Sequence, residues 1–220
     1  MRIAVIGSGT RSKTLPRHLA ERAAHGAIAA RLVDPRLSAF AATPYERLVV
    51  DLGYVDAMQQ AAREGCDAIF INSFADYGID AARAAVDVPI AGAGAAAIEV
   101  ASAGGTRDFA IVTVWPASMA FLYHERLRNV PGGERCVAIR HVSPEEELRR
   151  LGADDGIMER MARHEHGVIE RLAQACDAVA RESGAQAIAL GCTCMAPIGP
   201  AIAGHCHVPV YESSRCGFDA

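Results

Sequence analysis

The sequence predicts an α/β fold of two pseudo-symmetric lobes, each a short parallel sheet flanked by helices, with the functional site in the cleft between them. Three observations predict it. Short all-apolar runs alternate with stretches of helical spacing along the 220 residues, the pattern of parallel sheets covered on both faces. The segment from Gly65 to Ser73 has the shape of the segment from Gly184 to Cys192, and 184 − 65 and 192 − 73 both give 119. Val88-Pro89-Ile90 returns as Val208-Pro209-Val210 at an offset of 208 − 88 = 120. A general likeness among βα units does not produce nearly equal offsets, so an internal duplication is the simpler account.

Each element follows from local pattern. Ile3 to Ile6 is a buried strand ending in the tight turn Gly7-Ser8-Gly9-Thr10. Leu15 to Ala24 suits a helix, and Ile28 to Val33 a second strand ending at Asp34-Pro35. Residues 35–46 are irregular, and a helix follows from about Leu48 to Arg63. Ala68 to Ile71 is the third strand. Asp76 is placed to cap the next helix, whose Ile79, Ala82 and Val86 recur on one face. Val88-Pro89-Ile90 is a fourth strand, and Gly92-Ala93-Gly94 opens a helix through Ala101. Gly104-Gly105 marks a boundary, giving lobes at 1–104 and 105–205, with 206–220 packing back on the first. In the second lobe Phe109 to Val112 is a strand, and Pro116 to Arg128 a helix with proline at a tolerated first-turn position. Val137 to Val142 is a strand, and Ser143-Pro144-Glu145-Glu146 has the composition of a helix start. A long helix from about Asp154 to Ser183 carries Ile157, Met161, Val168, Leu172 and Val179 along one stripe. The strand that stops at Cys192 follows, and Val208-Pro209-Val210 is a last strand near the end of the chain.

Composition narrows the function. An apolar content of 51%, a charged content of 22% and a net charge of −4 describe an ordinary globular chain with no general attraction to nucleic acid or anionic membrane. No apolar run approaches the roughly 20 residues needed to span a bilayer. The strand pattern begins at once, so no signal peptide is expected, and a cytoplasmic protein is. Seven cysteines, an odd number without a secretory segment, argue for reduced thiols, most of them small buried hydrophobes. Lys13 is the only lysine, so Schiff-base chemistry has a single candidate. Ligands of open parallel sheets sit beyond the carboxyl ends of the strands. Ser73 and Cys192 both occupy that position and are expected to face one another across the cleft.

These residues resemble the Asp/Glu/hydantoin racemase superfamily, and most closely its hydantoin racemase branch. Leu190-Gly191-Cys192-Thr193 is similar to the turn bearing that family's second catalytic thiol. Asn72-Ser73-Phe74-Ala75-Asp76-Tyr77-Gly78-Ile79-Asp80, followed by Val88-Pro89-Ile90-Ala91-Gly92, is similar to its first catalytic turn and the strand after it. The resemblance implies a cofactor-independent racemase acting at an activated α-carbon of a hydantoin or amino-acid substrate. It implies a small-molecule substrate bearing a carboxylate or cyclic imide, and a homo-oligomer. There are departures. Ser73 stands where the family usually has cysteine, and only Thr10 of Gly7-Ser8-Gly9-Thr10-Arg11 carries over from the family's first turn. The chain also ends at Ala220, before a closing helix that the family leads one to expect.

Thiols suit racemisation because an unperturbed pKa near 8.5 falls to roughly 3.5–7.5 beside a helix N-terminus or a cation, and Cys192 precedes a helix expected from about Pro197. Backbone N–H groups around Ser73-Phe74 and Cys192-Thr193 are candidates to hold an enolate oxygen. Thr10, Thr113, Thr193 and Asn72 are candidate substrate anchors. A serine hydroxyl is a poor α-proton base without an activating neighbour. Three readings of Ser73 therefore stand: an assisted partner in a racemase, a bystander in a one-thiol reaction such as decarboxylation or isomerisation, or an introduced substitution that traps substrate.

Other sites compete. Gly7-Ser8-Gly9-Thr10-Arg11-Ser12 with Asp34 is half of a dinucleotide fingerprint, but Ser12 replaces its third glycine. Cys192, Cys194, His205, Cys206 and His207 include zinc-ligand types at a spacing unlike a structural zinc site, and Cys194 reads as a core side chain. His164 lies on the apolar stripe and reads as a packed histidine. Glu145-Glu146-Glu147 and Arg149-Arg150 read as solvated charges. A non-catalytic small-molecule sensor on the same fold is the main alternative to an enzyme.

Overall fold

The computed structural model describes residues 1–7, 14–26 and 28–220. Strands β1 (Arg2–Ile6), β2 (Ala29–Val33), β3 (Ala68–Ile71) and β4 (Ile90–Gly92) form one parallel sheet in the order β2-β1-β3-β4. Strands β5 (Phe109–Thr113), β6 (Cys136–His141), β7 (Ile188–Leu190) and β8 (Val210–Glu212) form a second in the order β6-β5-β7-β8. The two orders are the same once the duplication is applied. The central strands β3, β5 and β7 are almost wholly buried, as covering helices require of a parallel sheet, whereas the edge strands are half-buried. Ile69 lies opposite Ile90 in the first sheet, and Ile188 opposite Val210 in the second. At the equivalent places Pro89 and Pro209 each contribute only a carbonyl, accepting Ile69 N and Ile188 N at 2.9 and 2.8 Å, so a missing N–H costs these edge strands nothing.

The covering helices are α1 (Arg17–His25), α2 (Pro44–Arg63), α3 (Ile79–Arg83), α4 (Ala93–Ala101), α5 (Ala120–Asn129), α6 (Ile157–Ala162), α7 (His166–Ser183), α8 (Gly199–Ala203) and α9 (Ser213–Asp219). Helix α2 starts earlier than its apolar pattern suggests. Thr43 and Glu46 form a reciprocal capping box and Pro44 occupies the first turn, which outweighs the position of the first apolar residue. None of the helices among the described residues is long and apolar enough to cross a membrane.

Helices α4 and α9 follow equivalent edge strands, pack on one another and join the lobes: α4 reaches β7 and β8, and α9 reaches β3, β4 and α1. Close approach depends on Gly217, where a Cβ would lie 2.5 Å from the Phe70 ring and 2.7 Å from Ala93 Cα. Phe218 then packs edge-on against Phe70 at 5.8 Å. The segment 206–220 is thus divided. Its strand β8 joins the second sheet beside β7, and its helix α9 packs on α4, β3, β4 and α1.

Three local expectations are corrected. The long helix is broken, because His164 takes a left-handed φ of +54° between α6 and α7, so it is an exposed turn residue and not a packed one. The apolar stripe survives the break, with Ile157, Met161, Val168, Leu172 and Val179 all buried. Glu147 is buried, and its carboxylate accepts Ile157 N at 3.2 Å at the start of α6, so it is not a solvated charge. Asp76 does not cap α3, whose N-cap is Gly78. Asp76 is fully buried at φ +46° and accepts Gly94 N and Ala95 N at 2.8 and 2.7 Å, capping α4 instead.

Candidate active site

The two turns that leave β3 and β7 are built from the same hydrogen bonds. Asn72 N donates to Ile6 O at 3.0 Å, and Gly191 N to Val112 O at 2.8 Å, each prolonging its sheet by one step. Ser73 Oγ accepts Ala75 N at 3.3 Å, and Cys192 Sγ accepts Cys194 N at 3.2 Å. The carbonyl of Ser73 accepts Asp76 N at 3.1 Å, and that of Cys192 accepts Met195 N at 3.0 Å. The side chains at 73 and 192 therefore leave their lobes in matching directions. They line a single cavity of about 60 Å³ between the lobes, together with Phe74 and Thr193.

The other expected site residues are placed differently. Thr193 Oγ1 donates to Asn72 O at 3.1 Å, tying one turn to the other. Asn72 is 2% exposed behind the cavity wall, and its Oδ1 accepts the Ser214 hydroxyl at 2.8 Å. Thr113, expected as an anchor, is fully buried and is not among the residues lining the cavity. Its hydroxyl donates to Tyr123 Oη at 2.5 Å and accepts Trp115 N at 3.2 Å, while Tyr123 Oη donates to Gly191 O at 3.0 Å. Thr113 thus positions Tyr123. A Cβ on Gly191 would lie 2.9–3.0 Å from Ile111, Tyr123 and Thr113, so the ring seats only against glycine. Thr10 and Lys13 lie outside the described residues.

Besides the expected Phe74, aromatic residues that sequence reasoning missed form most of the remaining wall. Phe40 packs edge-on against Trp115 at 4.8 Å, and Phe74 lies against Tyr123 at 5.4 Å, with Met119 and Leu122 filling between them. Trp115 carried a usable signal, being the chain's one tryptophan and standing just past the carboxyl end of a strand. Phe40 lies in a loop, and only the tertiary fold brings it here. Tyr77 lines the wall beside Ser73. Burial pushes its phenol up to about 12, against the opposing pull of Arg47 and of a hydrogen-bonding contact with Ser73. The Arg47 guanidinium sits 5.1 Å from the Tyr77 ring centre, and it also pairs with Asp51 at 2.8 Å and with Glu125 of the other lobe at 3.0 Å.

A second charged contact crosses between the lobes. Buried Arg126 of α5 reaches Asp76 at 3.6 Å and Asp80 at 3.4 Å. Burial raises the Asp76 carboxyl to about 6, opposed by the Gly94 N–H, Arg126 and the Ala95 N–H, which leaves it ionised at neutral pH. The amide N–H groups of Ser73, Phe74, Cys192 and Thr193, residues that line the cavity, have no backbone acceptor among the described residues. Such groups are able to meet a developing oxyanion.

Cys192 and Cys194 are joined as a disulfide, with their Cα atoms 5.2 Å apart. This corrects both the expectation of reduced thiols throughout and the reading of Cys194 as a simple core side chain. A disulfide sulfur neither donates nor accepts a proton as a thiol does, so acid/base work by Cys192 belongs to the reduced protein. The helix expected from Pro197 begins at Gly199, and the residues directly after Cys192 form a 3₁₀ turn, Thr193–Met195. The zinc-ligand candidates disperse: the Cys206 thiol donates to Ile202 O at 3.3 Å, and His207 pairs with Asp177. No group of three or more metal-ligating side chains assembles among the described residues.

Comparison with known proteins agrees with this architecture. The family model described as Asp/Glu/Hydantoin racemase matches residues 12–220. A hydantoin racemase of Paenarthrobacter aurescens is 30% identical over 219 residues, covering 96% of this chain and 86% of that protein. A hydantoin racemase of Pseudomonas sp. (strain NS671) is 28% identical over 201 residues, covering 91% and 75% of the two. Among solved structures, allantoin racemase from Pseudomonas fluorescens superposes with a TM-score of 0.80 at 20% identity, covering all of this chain and 88% of that one. With two like-ordered parallel sheets, matched turns at their junction and this extent of sequence match, the chain belongs to the Asp/Glu/hydantoin racemase family.

Proposed function

We propose that the protein is a cofactor-independent racemase acting at an activated α-carbon, with a hydantoin or amino-acid type substrate held between Cys192 and Ser73. The observation that carries this reading is the pair of matched turns lining one cavity from opposite lobes. In the reduced protein the Cys192 thiolate takes the α-proton, and the C–H electron pair moves into the adjacent carbonyl to give an enolate. The free N–H groups of the two turns hold the enolate oxygen. The Ser73 hydroxyl, beside the Tyr77 phenol, gives a proton to the opposite face, and proton exchange with water then returns the Cys192 thiol to thiolate and the Ser73 alkoxide to hydroxyl. Phe74 and Thr193 contact the substrate from the wall, Asn72 supports the turn, and Thr10 is a further anchor. At about 60 Å³ the cavity is smaller than a substituted hydantoin, so substrate entry requires the lobes to separate.

One observation favours a second reading. Only one of the two equivalent positions carries a thiol, which suits a one-thiol decarboxylase or isomerase of the same superfamily. Cytoplasmic location, a homo-oligomer and lobes divided near residue 104 complete the proposal. The apolar face of α2, with Tyr45, Leu48 and Leu52 exposed, suits an oligomer contact.

The deciding experiment incubates the reduced protein in deuterated water with substituted hydantoins, amino acids and substituted malonates, following optical rotation and α-deuterium. Deuterium incorporation and inversion on a hydantoin or amino acid, both lowered at least about 100-fold by Cys192→Ala, support the racemase. Turnover of malonates alone supports the one-thiol reading. Neither exchange nor turnover by the reduced protein overturns both and leaves a binding protein.

A further inference from the structure

The cavity's turns draw on a buried hydrogen-bond chain that enters from the first helix. His18 Nε2 of α1 lies 2.8 Å from Ser214 Oγ of α9, and Ser214 Oγ lies 2.8 Å from Asn72 Oδ1. Ser214 is fully buried and Asn72 2% exposed. Asn72 is otherwise fixed through its backbone, with its N–H on Ile6 O and its carbonyl receiving Thr193 Oγ1. Its side chain is the one part free to be turned over.

A hydroxyl carries one proton, so this chain has two self-consistent polarities. With His18 protonated on Nε2, the imidazole donates to Ser214 and Ser214 donates to Asn72 Oδ1. The amide is then held with its NH₂ as the unused side. With the proton on Nδ1 instead, Ser214 donates to His18, and its lone pair calls for the Asn72 NH₂. The amide then turns over and presents its oxygen. The two polarities therefore hold the Asn72 amide in opposite orientations, one residue before Ser73.

We propose that His18, acting through Ser214, is a positioning residue that fixes which way the buried Asn72 amide faces beneath the Ser73 turn. Its consequence for turnover rests on the racemase reading; the polarity of the chain does not. Burial and Arg215 lower the His18 pKa against the smaller pull of Glu21, so the imidazole is held neutral and its tautomer, not its charge, sets the polarity. Glu212 assists by accepting Ser214 N at 2.6 Å, which places the Ser214 hydroxyl between its two partners.

The test compares His18→Gln, whose amide nitrogen restores a donor, with His18→Leu, which does not, and with Ser214→Ala. In ¹⁵N spectra of the reduced wild type, the imidazole signal lost in both His18 variants is expected in the Nε2–H form. The Asn72 side-chain amide signal, assigned by its loss in Asn72→Asp, is expected to shift in His18→Leu and Ser214→Ala and to stay in His18→Gln. On an active substrate, kcat/KM is expected to fall about ten-fold in His18→Leu and to stay within about three-fold in His18→Gln, the scale of one lost hydrogen bond. An Nδ1–H tautomer in the wild type overturns the proposal. So does an unmoved Asn72 signal in His18→Leu, or equal loss in both His18 variants at unchanged thermal midpoints. A wild type inactive on every substrate overturns the racemase reading alone, because the tautomer and the Asn72 signal still decide the polarity.

Discussion

Ser73 and Cys192 stand at equivalent corners of the two lobes, each accepting the N–H two residues on, at 3.3 and 3.2 Å. The backbone treats the two positions alike, while the atoms it presents differ greatly. A thiol near pKa 8.5 exchanges protons readily at neutral pH, whereas a serine hydroxyl needs help that here falls to a phenol pushed up to about 12. The duplication supplies two matching mounts, and function depends on what each mount carries. In the proposed racemase a lopsided pair of this kind is expected to remove and return a proton on the thiol face more often than it completes transfer across the cleft.

The sharpest way to break the comparison is to close the thiol side. While Cys192 is bonded to Cys194, the corner proposed to take the α-proton holds no thiol acid or base. Fully oxidised protein is expected to show no α-proton exchange, and a dithiol reductant to restore it. Cys194→Ala removes the resolving partner, so its exchange rate should be the same with and without prior mild oxidation. Exchange that persists in protein shown by mass to hold the disulfide would remove Cys192 from the mechanism.

Making the corners alike sharpens the comparison instead. Ser73→Cys puts a second thiol in the same turn, and the Ala75 N–H that now meets the hydroxyl is in place to meet a thiolate. Inversion is expected to rise by about 100-fold, the lower range of a well-placed acid/base group. The ratio of deuterium exchange to inversion should fall toward one. An unchanged ratio would mean that the 73 corner does not face the α-carbon.

The legible part of this molecule was its repeat. Equal offsets in the sequence found both turns, and the Val-Pro strands found both edge strands, because strand pairing and turn geometry are set locally and were copied together. Contacts made only after folding were not legible. Phe40 lies in a loop without pattern, Tyr77 in the turn before α3 and Tyr123 within α5, and nothing local separates a cavity wall from a core at any of them. Thr113 kept the right position at a strand end but is turned to Tyr123. His164 broke a helix whose apolar stripe continues unbroken on either side, since the stripe records burial and not backbone continuity.

Where the copies diverge, one has compensated for the other. The first amides of α4 and α9 are equivalent, since 214 − 94 and 215 − 95 both give 120, and each pair is met by a carboxylate from a different place. For α4 it is Asp76, which stands where the second lobe has Met195. For α9 it is Glu212, which stands where the first lobe has Gly92 and accepts Ser214 N and Arg215 N at 2.6 and 3.1 Å. Only the first arrangement also faces a buried cation across the lobes, Arg126. Asp76→Ala strips that cation of its buried partner and α4 of its cap, so it is expected to destabilise the fold by about 3 kcal/mol in urea unfolding. A loss under about 1 kcal/mol would show that Asp80 alone satisfies Arg126.

The two capping carboxylates also predict how stability depends on pH. Burial raises Asp76 to about 6 and Glu212 to about 7, against the N–H groups and arginines that favour the charged forms. Both folded pKa values lie above those of the unfolded chain, so the folded state binds the proton more tightly. Their contribution to stability is therefore full below about pH 4 and declines as pH rises through 6 and then 7. Groups lowered by ion pairs, such as Asp177, act in the opposite direction at lower pH, and His18, lowered by burial and Arg215, opposes the pair near its ordinary value, so between pH 6 and 8 the Glu212 share is the part of the slope that Glu212→Gln removes. Unfolding free energy is expected to fall over that interval, by about 1 kcal/mol from Glu212, whose side chain keeps some access to solvent. Glu212→Gln cannot titrate, and should flatten the upper part of the curve while leaving the part near pH 6 that belongs to Asp76. A curve in Glu212→Gln that still falls between pH 7 and 8 would place the titrating group elsewhere, and Glu212 would then be an ordinary cap, ionised throughout like a carboxylate at an exposed helix start.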